Sequence, residues 1–171
     1  MPRALVVVDY QTDFVTGSLG SPHAEAIEKN IVSKIEEYLC SGGKVFFTMD
    51  THDQDYLRTD EGVHIPIEHC IKGTAGWRIH GKAAEYQGRG KTIEKGTFGS
   101  LGIVAPLAGF DEIEVCGVAT NICVIANAVI LKTAYPDSRV IVDTKCVASY
   151  DEELHRKALD EMRSLSIDIL E

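Results

Sequence analysis

Residues 4–8 read Ala-Leu-Val-Val-Val, five apolar side chains in succession, and Asp9 follows them. A strand wetted on one face alternates apolar and polar residues, so an unbroken run predicts a strand covered on both faces. Residues 44–49 (Lys-Val-Phe-Phe-Thr-Met) read as a second strand, 112–117 and 139–143 as strands flanking a helix, and shorter strands are expected over 91–95 and 166–170. Between these runs the spacing changes to that of a helix. Residues 24–39 place Ala24, Ile27, Ile31, Ile35 and Leu39 on one stripe, and Gly42-Gly43 stops it. Further helices are predicted over 100–107, over about 120–134 with Pro136 helping to end it, and over 151–165. Leu154, Ala158, Leu159 and Met162 mark the buried side of the last one.

Six strands separated by helices predict an α/β fold of three layers, a six-stranded parallel sheet with helices on both faces. Residues 1–171 are expected to form one domain, since the chain shows no repeat, low-complexity tract or composition break. The exception to the alternation is residues 50–90, rich in Gly and His and far longer than an ordinary connection. Such segments carry function.

In sheets of this kind ligands bind beyond the carboxyl ends of the strands. The residues there are Asp9, then Asp50 and His52, then Lys95, then Ala119 through Cys123. Cys123 falls where a strand turns into a helix, so N–H groups and the positive dipole end are expected to favour thiolate. Asp9 can take the thiol proton and return it to a leaving amine. Lys95 can lower the thiol pKa and pair with the carboxylate. The backbone N–H groups of Ala119 and Cys123 would form an oxyanion hole. That set fits attack on an amide carbonyl, a thioester, then hydrolysis. A second cluster has metal-ligand character: Asp50-x-His52, followed by Glu61, His64 and His69, suits zinc, iron or manganese.

Composition narrows the classes. Net charge is −9, from 17 basic and 26 acidic residues with no basic stripe, which argues against a nucleic-acid partner. No apolar stretch is long enough to span a bilayer, and the N-terminus has no signal-peptide pattern. Five cysteines without paired spacing argue against a disulfide framework, so a reduced, cytoplasmic setting is expected. The 120–134 segment is apolar around most of its circumference, which predicts a homo-oligomer.

Three segments resemble the isochorismatase-like cysteine hydrolases, and within them the nicotinamidases. Val8-Asp9-Tyr10-Gln11-Thr12-Asp13-Phe14 is similar to the family's opening V-D-x-Q-x-D-F, Glu94–Ser100 to the segment of its triad lysine, and Gly117–Cys123 to its G-x-A-T-x-x-C nucleophile motif. The resemblance implies Rossmann-type strand order, the triad Asp9, Lys95 and Cys123, and a cis Val118–Ala119 bond that aims the Ala119 N–H at the oxyanion. It also implies a divalent metal, zinc first, on Asp50, His52, Glu61 and His69, because Glu68–Thr74 resembles the family's H-C-x-x-G-T segment. The third ligand histidine of some members is missing at Tyr56-Leu57-Arg58, and Glu61 stands in for it. Phe14 matches the family's aromatic wall, and Phe98 and Trp77 are candidate further walls. The implied activity is hydrolysis of nicotinamide to nicotinate and ammonia, a step of NAD salvage. The alternatives are another small amide of ureide, biuret or maleamate type, or a ligand-binding member without catalysis.

Overall fold

The computed structural model describes residues 1–171. Its strands are β1 (Arg3–Val8), β2 (Lys44–Asp50), β3 (Lys91–Lys95), β4 (Glu112–Val118), β5 (Arg139–Ala148) and β6 (Asp168–Leu170). They form one parallel sheet in the order β3-β2-β1-β4-β5-β6, with β1 and β4 at its centre. The helices are α1 (Thr12–Val15), α2 (Pro22–Ala26), α3 (Glu28–Cys40), α4 (Asp60–His64), α5 (Ile125–Ala134) and α6 (Glu152–Ser164).

The apolar run of β1 divides between the two faces. Ala4, Val6 and Val8 pack in a core with Leu131 of α5 and Met162 of α6. Leu5 and Val7 pack in the other, with Ile31 and Ile35 of α3. Both cores need apolar residues from the same strand, which is why no polar alternation survives there.

Several boundaries differ from those read in the sequence. The stripe over 24–39 is two helices rather than one, because Ser21 caps the Ala24 N–H and Pro22 starts a separate short turn that breaks at Ile27. The segment expected as a helix over 100–107 is two 3₁₀ turns, Leu101–Ile103 and Ala105–Leu107. The long helix expected from Thr120 begins as a π-helical turn, Thr120–Val124, before α5 proper. Strand β5 runs on to Ala148 past an irregularity in its pairing with β4 between Val115 and Gly117. The 50–90 segment holds α4 and 3₁₀ turns at Tyr56–Arg58 and Gly81–Arg89.

Gly117 explains how β4 lies so close to β1. Its φ is +111°, and a Cβ there would stand 2.1 Å from the Val8 carbonyl oxygen. Only glycine fits that approach.

Candidate active site

The carboxyl ends of β1, β2, β3 and β4 bring their terminal residues to one place. Asp9 follows β1 in a left-handed conformation (φ 46°), which Asp tolerates better than most residues. Its N–H donates to the Thr48 carbonyl oxygen at 3.1 Å, and the Thr48 hydroxyl donates to Asp9 Oδ1 at 2.7 Å. The other carboxylate oxygen, Oδ2, lies 2.6 Å from Lys95 Nζ. Lys95 Nζ also donates to the Thr97 carbonyl oxygen at 2.8 Å and reaches Cys123 Sγ at 3.6 Å. Asp9 Oδ2 is buried with no hydrogen bond of its own, so it faces Lys95 as an ion pair. That leaves it a lone pair for the thiol proton.

The expected thiolate at Cys123 is not what the surroundings favour. Burial pushes the thiol well above its ordinary value, the Asp9 carboxylate adds to this, and Lys95 opposes both without overcoming them. Cys123 therefore rests as a thiol and needs a base. Burial also raises the Asp9 carboxyl, against the pull of Lys95. Lys95 is held charged: burial disfavours its ammonium, but Asp9, Cys123 and Asp50 outweigh that.

Asp50 ends β2 and joins the two clusters. Its Oδ1 is 3.4 Å from Lys95 Nζ, while Oδ2 is 3.0 Å from His52 Nε2 and 3.3 Å from His69 Nε2. Glu61 Oε1 stands 3.5 Å from His52 Nε2 and 3.8 Å from His69 Nε2. All four donor atoms lie within 4.8 Å of one another. Bonds of about 2.0–2.1 Å to a tetrahedral ion require donor separations of roughly 3.4 Å, so this set fits a metal such as zinc. His69 Nδ1 hydrogen-bonds the Ile67 carbonyl oxygen at 2.8 Å, which places the ring proton there and leaves Nε2 free as a ligand. His64 is not in the group: its side chain is exposed and its Nδ1 bonds the Asp60 carbonyl oxygen. Glu61 reaches the cluster because α4, capped by the Thr59 hydroxyl, turns it inward.

The Val118–Ala119 peptide is cis, as the resemblance implies. Ala119 then leads into the π-helical turn that carries Cys123. Extra turns of this type recur at functional sites.

Between the two clusters lies a narrow pocket of about 40 Å³. Its floor is Cys123, Asp50, Glu61 and His69, its walls are Phe14, Leu19, Ile65, Ala119 and Ile122, and Phe98 borders it from an exposed position. The five wall residues also border a larger cavity of about 430 Å³ outside it. Phe14 stands 5.3 Å from the His69 ring, centroid to centroid. Trp77 corrects the expectation of an aromatic wall: it lines neither cavity, because its indole N–H is tied to the Thr51 hydroxyl at 2.9 Å and its ring packs into the core beneath.

Two residues bracing the site were not singled out in the sequence. Gln11 exchanges hydrogen bonds with both backbone groups of Asp50, at 2.8 Å each. Asn127, fully buried, accepts from the Ser100 N–H at 3.0 Å and donates to the Cys123 and Phe98 carbonyl oxygens. The available signal for Asn127 was a polar residue one turn after Cys123 in an otherwise apolar helix.

The isochorismatase domain model matches residues 3–170. An isochorismatase-family protein PncA of Bacillus subtilis is 31% identical, over 93% of each chain. The nicotinamidase/pyrazinamidase of Mycobacterium tuberculosis is 29% identical, over 98% of each. Among solved structures, the pyrazinamidase of Pyrococcus horikoshii in complex with zinc superposes with a TM-score of 0.88 at 26% identity, covering 100% of this chain and 99% of that one. With a sheet, a strand order and a domain match that all agree, the chain belongs to the isochorismatase family.

Proposed function

We propose that the chain is a metal-dependent nicotinamidase, hydrolysing nicotinamide to nicotinate and ammonia through a thioester on Cys123. The observation that carries this reading is the position of Lys95 Nζ, within 3.6 Å of Asp9, Asp50 and Cys123 together. Nucleophile, base and metal-type cluster thereby share one pocket. No arginine lines that pocket or the cavity outside it, which favours a neutral amide over a carboxylate-bearing one.

Asp9 takes the Cys123 proton as sulfur attacks the amide carbon, and the Ala119 and Cys123 N–H groups face the developing oxyanion. When the tetrahedral adduct collapses, Asp9 returns the proton to the nitrogen, ammonia leaves and an acyl thioester remains. A water that gives its proton to Asp9 then attacks the thioester carbon, and the sulfur departs and regains a proton. Lys95 favours the ionised form of Asp9 against the effect of burial and holds it beside the sulfur. Asp50, His52, Glu61 and His69 would hold a divalent ion, zinc as we assign it, which supplies a Lewis-acidic anchor for the pyridine nitrogen. Phe14 and Phe98 flank the ring.

Ammonia release from nicotinamide tests this reading, with wild type beside Cys123→Ala and beside chelated protein before and after zinc is restored. Turnover abolished by the substitution, and lost on chelation but regained with zinc, is the expected result. A folded, zinc-loaded protein that leaves nicotinamide intact would sink it.

A further inference from the structure

An apolar cavity of about 150 Å³ holds benzene, so a pyridine ring whose reacting edge enters the 40 Å³ inner pocket reaches into the 430 Å³ cavity outside it and leaves more than half of that cavity unfilled. The cavity meets the inner pocket along Phe14, Leu19, Ile65, Ala119 and Ile122, so whatever fills it is continuous with a molecule bound at Cys123. Ten of its fourteen lining residues are hydrophobic, and none is a formally charged Asp, Glu, Lys or Arg. Its serines are engaged within the protein. Ser18 donates to the Glu68 carbonyl oxygen at 2.9 Å, Ser149 donates to Asn121 Oδ1 at 2.6 Å, and Ser21 accepts from the Ala24 N–H. The surface offered is thus apolar, with the exposed Ile67 and Tyr150 at its rim.

The orientation of a bound ring follows from the floor of the inner pocket. With the carboxamide carbon at Cys123 and the ring nitrogen toward Asp50, Glu61 and His69, the edge joining them points inward. The ring carbon opposite that edge, C5 of a pyridine, then points to the mouth. We infer that the cavity is a second subsite, and that this protein takes neutral aromatic amides extended by an apolar group of several carbons at the ring position opposite the reacting edge. The inference rests on the nicotinamidase reading for the orientation of the ring. Specificity would then be set by the cavity as much as by the catalytic floor, because each methylene buried there strengthens binding.

The comparison to make is nicotinamide against 5-butylnicotinamide and 5-carboxynicotinamide, with the zinc-loaded protein. A KM at least about tenfold lower for the butyl compound, and no such gain for the carboxylate, is expected. Tyr150→Asp, at an exposed position, should remove the butyl gain and leave the KM for nicotinamide unchanged. Calorimetric binding of the same compounds to Cys123→Ala gives a readout without turnover, and the butyl amide should bind the tighter. Nicotinamide turnover with equal or worse KM and binding for the butyl compound overturns the subsite while the nicotinamidase reading stands. Tighter binding of the butyl amide by a protein that leaves nicotinamide intact would retain the subsite and discard nicotinamide as the substrate. Neither turnover nor binding of any of the three overturns both.

Discussion

At Cys123 burial, a neighbouring carboxylate and a neighbouring ammonium act on one thiol, and the first two prevail. In the proposed mechanism the demand on Asp9 is therefore strict, because the sulfur is not a nucleophile until its proton leaves. The same charge that makes Asp9 a base also raises the thiol. Asp9→Asn should consequently separate reactivity from turnover. Ammonia release is expected to fall by about 10²–10⁴-fold, the usual share of a general base. Alkylation of Cys123 by iodoacetamide at pH 7 should become faster, since a larger fraction is thiolate once the carboxylate is gone. In wild type the alkylation rate should climb with pH well beyond neutrality. An alkylation rate unchanged or lowered in Asp9→Asn would show that Asp9 does not control the thiol. The meeting of Asp9, Lys95 and Cys123 was legible because each stands at or just past the carboxyl end of a strand, and strand ends can be read from apolar runs. Thr48 and Gln11 were not, because their partners are thirty-nine residues away, a separation of 39 positions in each case.

The elements differ in how much of their geometry is local. Strand β1 announces itself, but the π-helical turn at Thr120–Val124 does not, since its extra residue follows from packing against α6 and the end of β5. Thr120 hydrogen-bonds His155 of α6 at 2.8 Å, and Asn121 accepts from Ser149 at the end of β5. One turn on, Asn127 ties α5 to the backbone around Phe98 and Ser100, and so ties the nucleophile's turn to the loop after Lys95. Asn127→Leu keeps the volume and the apolar surroundings but leaves the Ser100 N–H and the Phe98 carbonyl without those partners. It should cost about 1–3 kcal/mol of stability, read as a lower midpoint in urea unfolding. Because the same residue positions Cys123, kcat should fall with it while KM for nicotinamide changes little. A midpoint equal to wild type would mean water replaces all three bonds.

For the whole molecule, the unusual feature is two carboxylates and two imidazoles converging on one spot under α4 and the 50–90 segment. Burial and the Asp50 charge push the Glu61 carboxyl upward, while the two histidines and Lys95 pull it down. A cation held by these four residues, as proposed, would relieve the repulsion and tie α4 to the sheet. Zinc added to chelated protein at a thousandfold excess over Kd should stabilise it by about 4 kcal/mol, which for a domain of this size raises Tm by roughly 8–16 °C. Glu61→Ala should lose most of that gain and keep the fold, which differential scanning calorimetry would check. A Tm indifferent to zinc would remove the metal from the account. By itself the sequence determined the parallel α/β sheet, its covered strands and the identity of the residues at their carboxyl ends, because burial on two faces and helical spacing are written locally. Tertiary structure alone decided that α4 brings Glu61 beside Asp50, His52 and His69 while His64 stays exposed, that Trp77 turns away from the pocket, that burial raises the Cys123 thiol, and that an apolar cavity adjoins the site. Each of those depends on the burial and charge created by segments far apart in the chain.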